Sequence, residues 1–330
     1  MRCAPFVFVV ACILVFAKII LEIMIMQQSP LPSQREQSAP LSSQQSALLA
    51  SQKIALLSSQ EGLDGRCPWT ETKFVFGRCD LQLIFKRLIA RVPFSYAHYN
   101  DGEFLAMKEV DGHTDRGMQR MSPELKGVIA RAFHREAPGL VFGIPCAQEF
   151  SHDNEFANEE LRNSTVERTI ATVFINSNYR DARSVLLRYI QRNPDRGVHM
   201  VVADSANMTR FESGTGMRPA FVTTVSGRDA FPKGYHDNIN NTRHHMPGDI
   251  VIICAGPLGR ILATEWFLRR PETTYLELGS FFDVDLFGGS LGADYYDRGG
   301  SVPHCGDTTE IQTELLLDLI DNKTVFRRRR

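Results

Sequence analysis

The chain has 330 residues, 43% of them hydrophobic and 23% charged, enough apolar material for one large α/β domain or two small ones. Its formal net charge of −1 and its pI near 6.8 carry no electrostatic signature of a nucleic-acid partner, and that class is excluded. Basic residues run together only at residues 327–330, a tail of the kind that usually stays solvated.

Reading along the chain, residues 1–3 form a short leading tail and residues 4–26 an apolar run broken only by Lys18 and Glu22. These two charges stand four apart and share one helix face. The run is long enough to span a bilayer, and Met24-Ile25-Met26-Gln27 offers no small-residue cleavage site. Arg2 precedes it, whereas the next basic residue after it is Arg35. The expectation is a single-pass type II signal anchor with the body in the lumen of the Golgi or endoplasmic reticulum. Sequons at Asn163, Asn207, Asn240 and Asn322 agree with a luminal body. Residues 27–65, rich in Ser and Gln, read as a stem. Seven cysteines contain no Cys-x-x-Cys, against a structural zinc site; Cys67 with Cys79 is a plausible disulfide, and Cys254 reads as a small buried hydrophobe.

From residue 66 to 325 apolar runs alternate with helical patterns. Strands are predicted at residues 94–99, 140–144, 198–203, 220–225, 250–254 and 274–278, and helices at 123–135, 158–174, 182–192, 258–269 and 310–319. Strand followed by helix at this spacing implies βαβ units: a Rossmann-like, mostly parallel sheet flanked by helices. Such sheets bind ligands beyond the carboxyl ends of their strands, so functional residues are expected just after the apolar runs.

The first run ends in Asn100-Asp101-Gly102-Glu103-Phe104. A tight turn at Gly102 is expected to let Asp101 and Glu103 face one hard cation, Mn²⁺ or Mg²⁺. On spacing alone, Asp-x-Glu is as well explained by a solvated turn at a strand end. Later, Ala255-Gly256-Pro257-Leu258-Gly259 opens a helix whose free N–H groups suit a diphosphate, although Gly-Pro is also an ordinary helix start. Arg260, one turn in, is a phosphate contact or a solvated helix residue. Asp283 and Asp285 alternate with apolar residues after the last strand and are candidates for acceptor binding or a general base, or are structural.

In this strand context Asn-Asp-Gly-Glu-Phe resembles the Arg-Phe-Gly-Asp-Gly-Glu-Phe signature of GT-D glycosyltransferases. Further pieces follow in order: Met118-Gln119-Arg120 before Pro123-Glu124-Leu125; Phe142-Gly143-Ile144-Pro145; residues 222–235 with Asp229-Ala230-Phe231; the Gly256-Pro257 helix start; and Leu278-Gly279 with Asp283. The likeness covers roughly residues 75–290. It implies a metal-dependent transferase with Asp101 and Glu103 on Mn²⁺ or Mg²⁺, and a nucleotide-sugar donor against the strand ends. The acceptor would be a glycan, glycoprotein or glycolipid, with the membrane met through the N-terminal helix. His98 stands near the family's Arg and is its candidate replacement at the donor. The family's Glu-Gly-Glu appears here as Ala203-Asp204-Ser205, and the His of its terminal motif is replaced by Ser280 and Phe281.

Two rivals have their own sequence features. Gly288-Gly289-Ser290-Leu291-Gly292 fits the nucleophile-elbow pattern of an α/β hydrolase, but the residues after Ser290 form a poor helix. A non-catalytic sugar-nucleotide- or glycan-binding protein would keep the fold without needing both carboxylates. A dehydrogenase lacks its Gly-x-Gly-x-x-Gly here.

Overall fold

The computed structural model describes residues 78–108, 119–120, 122–145, 151–171, 174, 179–227, 229–289, 316–318 and 320–321. The expected anchor (4–26), stem (27–65), Ser290 and the tail from 326 lie outside them. Among the described residues no helix is long and apolar enough to cross a membrane.

The order of elements is α1 (Arg78–Ala90), β1 (Ser95–His98), α2 (Asp101–Met107), α3 (Pro123–Phe133), β2 (Leu140–Ile144), α4 (Ser151–Glu160), β3 (Glu167–Ile170) and α5 (Tyr179–Arg192). It continues with β4 (Val198–Ala203), α6 (Met208–Thr215), β5 (Phe221–Val225), α7 (Lys233–Asn238), β6 (Ile250–Ile253), α8 (Gly256–Arg269), β7 (Thr274–Glu277) and α9 (Asp283–Phe287). The seven strands form one sheet in the order β3-β2-β1-β7-β6-β4-β5. Every pairing is parallel. The expected Rossmann-like class is therefore present.

Parallel strands must be covered on both faces, because their crossovers lay helices on either side. Phe94, Tyr96, Met200 and Ile252 point into one apolar layer with Leu81, Phe85 and Leu88 of α1 and Val185, Leu186 and Tyr189 of α5. Ala97, Tyr99, Val251 and Tyr275 point into the other with Phe104 of α2, Ile129 and Phe133 of α3, and Trp266 of α8. Residues of opposite parity in each strand serve opposite layers, as a period of two requires. Helix α8 is buried around most of its circumference, from Leu258 to Phe267, and crosses behind β1 and β7.

One prediction fails outright. The helix expected over residues 158–174 is instead the end of α4, a turn, and edge strand β3. Thr165, Val166, Thr169 and Ile170 are β-branched, and pairing with β2 outweighs the helical spacing of the charges between them.

Helix starts follow local chemistry. Ser122 Oγ accepts the Leu125 N–H, and Pro123 occupies the first turn of α3. Asn207 caps α6 by accepting the Arg210 N–H, and Gly216 closes that helix at φ 66°.

Candidate functional site

The carboxyl ends of β1, β6 and β7 meet at one place on the sheet. From β1 the chain runs outward to β2 and β3, then crosses to build β4, β5 and β6 before β7 returns to lie beside β1. A change of winding direction next to β1 is where open α/β sheets leave a crevice.

Beyond His98, the last residue of β1, the chain enters α2 directly rather than through a turn at Gly102. Asn100, in extended conformation, is the residue before the helix, and Asp101 is the first helical residue. Glu103 reaches back so that its Oε2 accepts the Asn100 backbone N–H at 2.9 Å. This is one half of a capping box. Glu103 Oε1 lies 3.3 Å from Arg260 Nε of α8, and the residue is only 3% exposed. The expected arrangement, with Glu103 facing a metal beside Asp101, is thus replaced by a carboxylate held inside the protein. Glu103 does not fit a metal ligand, because taking it would strip Arg260 of a counter-ion in a dry site. The Asp101 side chain lies outside the described part of the structure. Asn100 Oδ1, at the same turn, is buried and faces the Glu103 backbone N–H as the other half of the capping box, without making a full hydrogen bond to it. An oxygen acceptor of that kind suits a hard divalent cation.

Arg260 organises the rest. Its Nε donates to the His98 carbonyl at 2.7 Å and its NH2 group donates to His98 Nε2 at 2.8 Å. A guanidinium can only donate, so Nε2 must accept, and the imidazole is the neutral Nδ1–H tautomer. Its Nδ1 meets Glu277 Oε2, the carboxylate at the end of β7. Glu277 Oε2 also takes the His98 backbone N–H at 3.3 Å, and Oε1 takes the Gly279 N–H at 3.0 Å. Arg260 NH1 lies 3.6 Å from Glu277 Oε1.

Burial alone would raise the Glu277 pKa, but Arg260 and His98 outweigh it and hold the group below the ordinary carboxylate range. Burial likewise works against the Arg260 charge, and Glu103 with Glu277 overcomes it.

His98, Glu103 and Arg260 are therefore brought together, with Glu277 as a fourth member. None of them presents its polar atoms to a donor. Arg260, near the start of α8, is 7% exposed with its guanidinium turned inward to His98, Glu103 and Glu277, and His98, 8% exposed, is covered by Glu277 and Gly279. A Cβ on Gly279, at φ 54°, would come within 2.7 Å of His98 Cε1. Gly259 has a packing role: a Cβ there would meet Glu277 Cγ and Ile253 Cγ2, each at 3.1 Å. Gly256 differs. It starts α8 at φ 54°, and an added Cβ would meet nothing within 4 Å, so the mouth of the helix is open there.

Asp283 and Asp285 lie in the first turn of α9, not on a strand end, and both are 8% exposed. Asp285 is gripped by Arg183 of α5 through NH2 at 2.6 Å and Nε at 3.3 Å. A carboxylate so forked is a structural anchor rather than a base. Asp283 lies close enough to Cys254, just beyond β6, to help raise its thiol pKa, which burial already pushes up. Cys254 is a free thiol packed partly against the core. Among the described residues no group of three or more His, Cys, Asp or Glu is arranged to hold a metal ion.

Sequence reasoning missed Glu277 and the role of Glu103, and each had a signal. Glu277 is a lone carboxylate inside the apolar run Tyr275-Leu276-Glu277-Leu278, a position that demands a buried partner. Asn100 followed three residues later by Glu103 is the spacing of a helix start.

No family model and no curated protein matches the chain. Solved structures that align with it include two of the domain of unknown function 1792. One of them is described as having a distinct glycosyltransferase fold; it is 14% identical, with a TM-score of 0.44, covering 80% of this chain and 97% of that one. The other is 13% identical, with the same TM-score and coverage. A third, described as a new glycosyltransferase from Streptococcus sanguinis, is 14% identical with a TM-score of 0.45, covering 69% of this chain and 94% of that one.

Proposed function

We propose that the chain is a glycosyltransferase moving a sugar from a nucleotide-diphosphate donor to a hydroxyl of a glycan, glycoprotein or glycolipid. The observation that carries this reading is the position of Asn100-Asp101-Gly102-Glu103-Phe104. That signature-like segment begins at the carboxyl end of β1, beside the change in winding direction of an all-parallel sheet. The other pieces of the resemblance fall on neighbouring strand ends: Pro145 after β2, Gly256 after β6 and Asp283 after β7.

In this reading the donor diphosphate lies at the open mouth of α8, near Gly256. Mn²⁺ or Mg²⁺ is proposed with Asp101 and the Asn100 side-chain oxygen as its protein ligands. Such an ion, when bound, neutralises charge building on the leaving diphosphate. Asp283 keeps the proposed role of general base toward the acceptor hydroxyl, while Asp285 does not. The body is proposed to work in the lumen of the Golgi or endoplasmic reticulum behind the N-terminal anchor. Its sequon residues Asn163, Asn207 and Asn240 are all exposed, as luminal glycosylation requires.

The test is to incubate full-length protein with a panel of sugar nucleotides and Mn²⁺ and measure release of the nucleotide. At least one donor is expected to turn over, and Asp101→Asn or a chelator is expected to stop it without lowering the melting temperature. A folded protein that turns over none of the panel, with or without metal, would sink the proposal.

A further inference from the structure

The buried cluster links the centre of the sheet to the turn that carries the proposed site. Glu277 at the end of β7 fixes the imidazole of His98 through Nδ1. His98 Nε2 and its carbonyl fix two nitrogens of Arg260. Arg260 faces Glu103 Oε1, and Glu103 Oε2 holds the Asn100 N–H. The next residue is Asp101. Every link is short, and all four residues are at most 8% exposed.

We propose that Arg260 and Glu277 are positioning residues. They meet neither donor nor metal; they act through Glu103 on the β1–α2 turn and so set where Asp101 and the Asn100 oxygen stand. This rests on the proposed function for what the turn binds, but not for the linkage itself.

The arrangement has the properties such a role needs. Arg260 reaches the His98 carbonyl and Glu103 from Nε and the His98 ring from NH2, a fixed spread of donors that a single ammonium point charge does not offer. Glu277 leaves His98 one ring nitrogen free to accept, and Arg260 takes it. The four residues are buried, so each contact acts at a local dielectric lower than that of water and holds its partner stiffly. A ligand-binding turn held within a fraction of an ångström loses much of its function when such support loosens, even though the support never touches the ligand. The Glu103 and Phe104 N–H groups both donate to the Asn100 carbonyl at 3.1 Å, so they report directly on the turn.

The experiment uses the full chain with Arg260→Lys, Glu103→Gln and the double variant. Thermal melting establishes that each is folded. Backbone amide exchange at Glu103 and Phe104 is expected to quicken about tenfold or more in Arg260→Lys, while amides of β4 and β5 keep their wild-type rates. Binding of Mn²⁺ alone, followed by the resonance of the free ion, is expected to weaken about tenfold in each single variant. The double variant should be no weaker than either, because the two residues lie on one line of action. With a sugar nucleotide that the wild type turns over, kcat should fall while KM stays within about twofold.

Unchanged exchange at the turn, or losses of Mn²⁺ binding that multiply in the double variant, would overturn the positioning role. A raised KM with kcat intact would instead make Arg260 a donor contact and also overturn it. If the wild type turns over no sugar nucleotide, the proposed function fails alone, and exchange still decides the linkage.

Discussion

Asp285 and Asp283 are two carboxylates of equal burial, two residues apart, to which the proposed function gives different parts. Asp285 spends both oxygens on the fork of Arg183, and its loss leaves that guanidinium half-buried without a counter-ion. Asp285→Asn should therefore cost about 1–3 kcal/mol of stability, read from a urea unfolding curve, and leave turnover per folded molecule unchanged. If Asp283 is the proposed base, Asp283→Asn should lower kcat at least a hundredfold in protein that a urea unfolding curve shows to be folded. The same contrast separates Glu103 from Asn100. Both were legible as polar residues after a strand, but only side-chain geometry shows that Glu103 turns to Arg260 while the Asn100 oxygen faces the Glu103 N–H without a full hydrogen bond. Sequence spacing places a carboxylate near a strand end; it does not say which way the carboxylate turns.

At the scale of elements, Gly259 and Gly279 let α8 and β7 approach closely enough for Arg260 to reach both strands. Gly259→Ala forces a Cβ against Glu277 and Ile253 at 3.1 Å and should destabilise the protein by about 1–3 kcal/mol, measured by thermal unfolding. The strands themselves were readable: residues 140–144 and 198–203 coincide with β2 and β4, because fully buried parallel strands are continuous apolar runs. Edge strand β3 was not readable, since one covered edge needs fewer apolar residues and its Glu167-Arg168 pair mimics a helix surface. Helix α2 was also missed, being seven residues long and held by the Glu103 cap more than by its own apolar face.

A second polar layer lies at the opposite end of the strands. His199 Nε2 pairs with Asp249 Oδ2 at 2.8 Å, and His245 Nδ1 meets the Tyr275 hydroxyl at 3.1 Å. Burial first, and then His199, lowers the His245 pKa to about 4. The unfolded chain takes up that proton near the ordinary histidine value of 6.5, so the unfolded state binds more protons between the two values and stability falls as pH drops through this window. Glu277 acts in the same direction at lower pH. Its folded pKa is depressed, so its contribution is full above the ordinary carboxylate value and is lost as pH falls through the folded one. Urea midpoints at pH 7 and pH 5 should fall for wild type and fall less for His245→Asn.

For the whole molecule, the expected membrane anchor, stem and luminal placement stand as proposals with one direct check. Expressed in a secretory system, the full chain should run faster on a gel after enzymatic removal of N-linked glycans, and each of Asn163→Gln, Asn207→Gln and Asn240→Gln should remove one step of that shift. The sheet order carries a further consequence for how the molecule comes into being. Strand β7 is the last to be synthesised yet lies between β1 and β6, so the half made first and the half made next have no strand contact until it arrives. Until a ribosome has released Glu277, each half carries a bare inner margin of unpaired peptide groups that a chaperone must shield or a neighbouring nascent chain can capture. The proposed site is correspondingly an all-or-nothing product of elongation: any message truncated before that codon yields one chain whose two strand groups stay unjoined and in which Arg260 lacks its Glu277 partner.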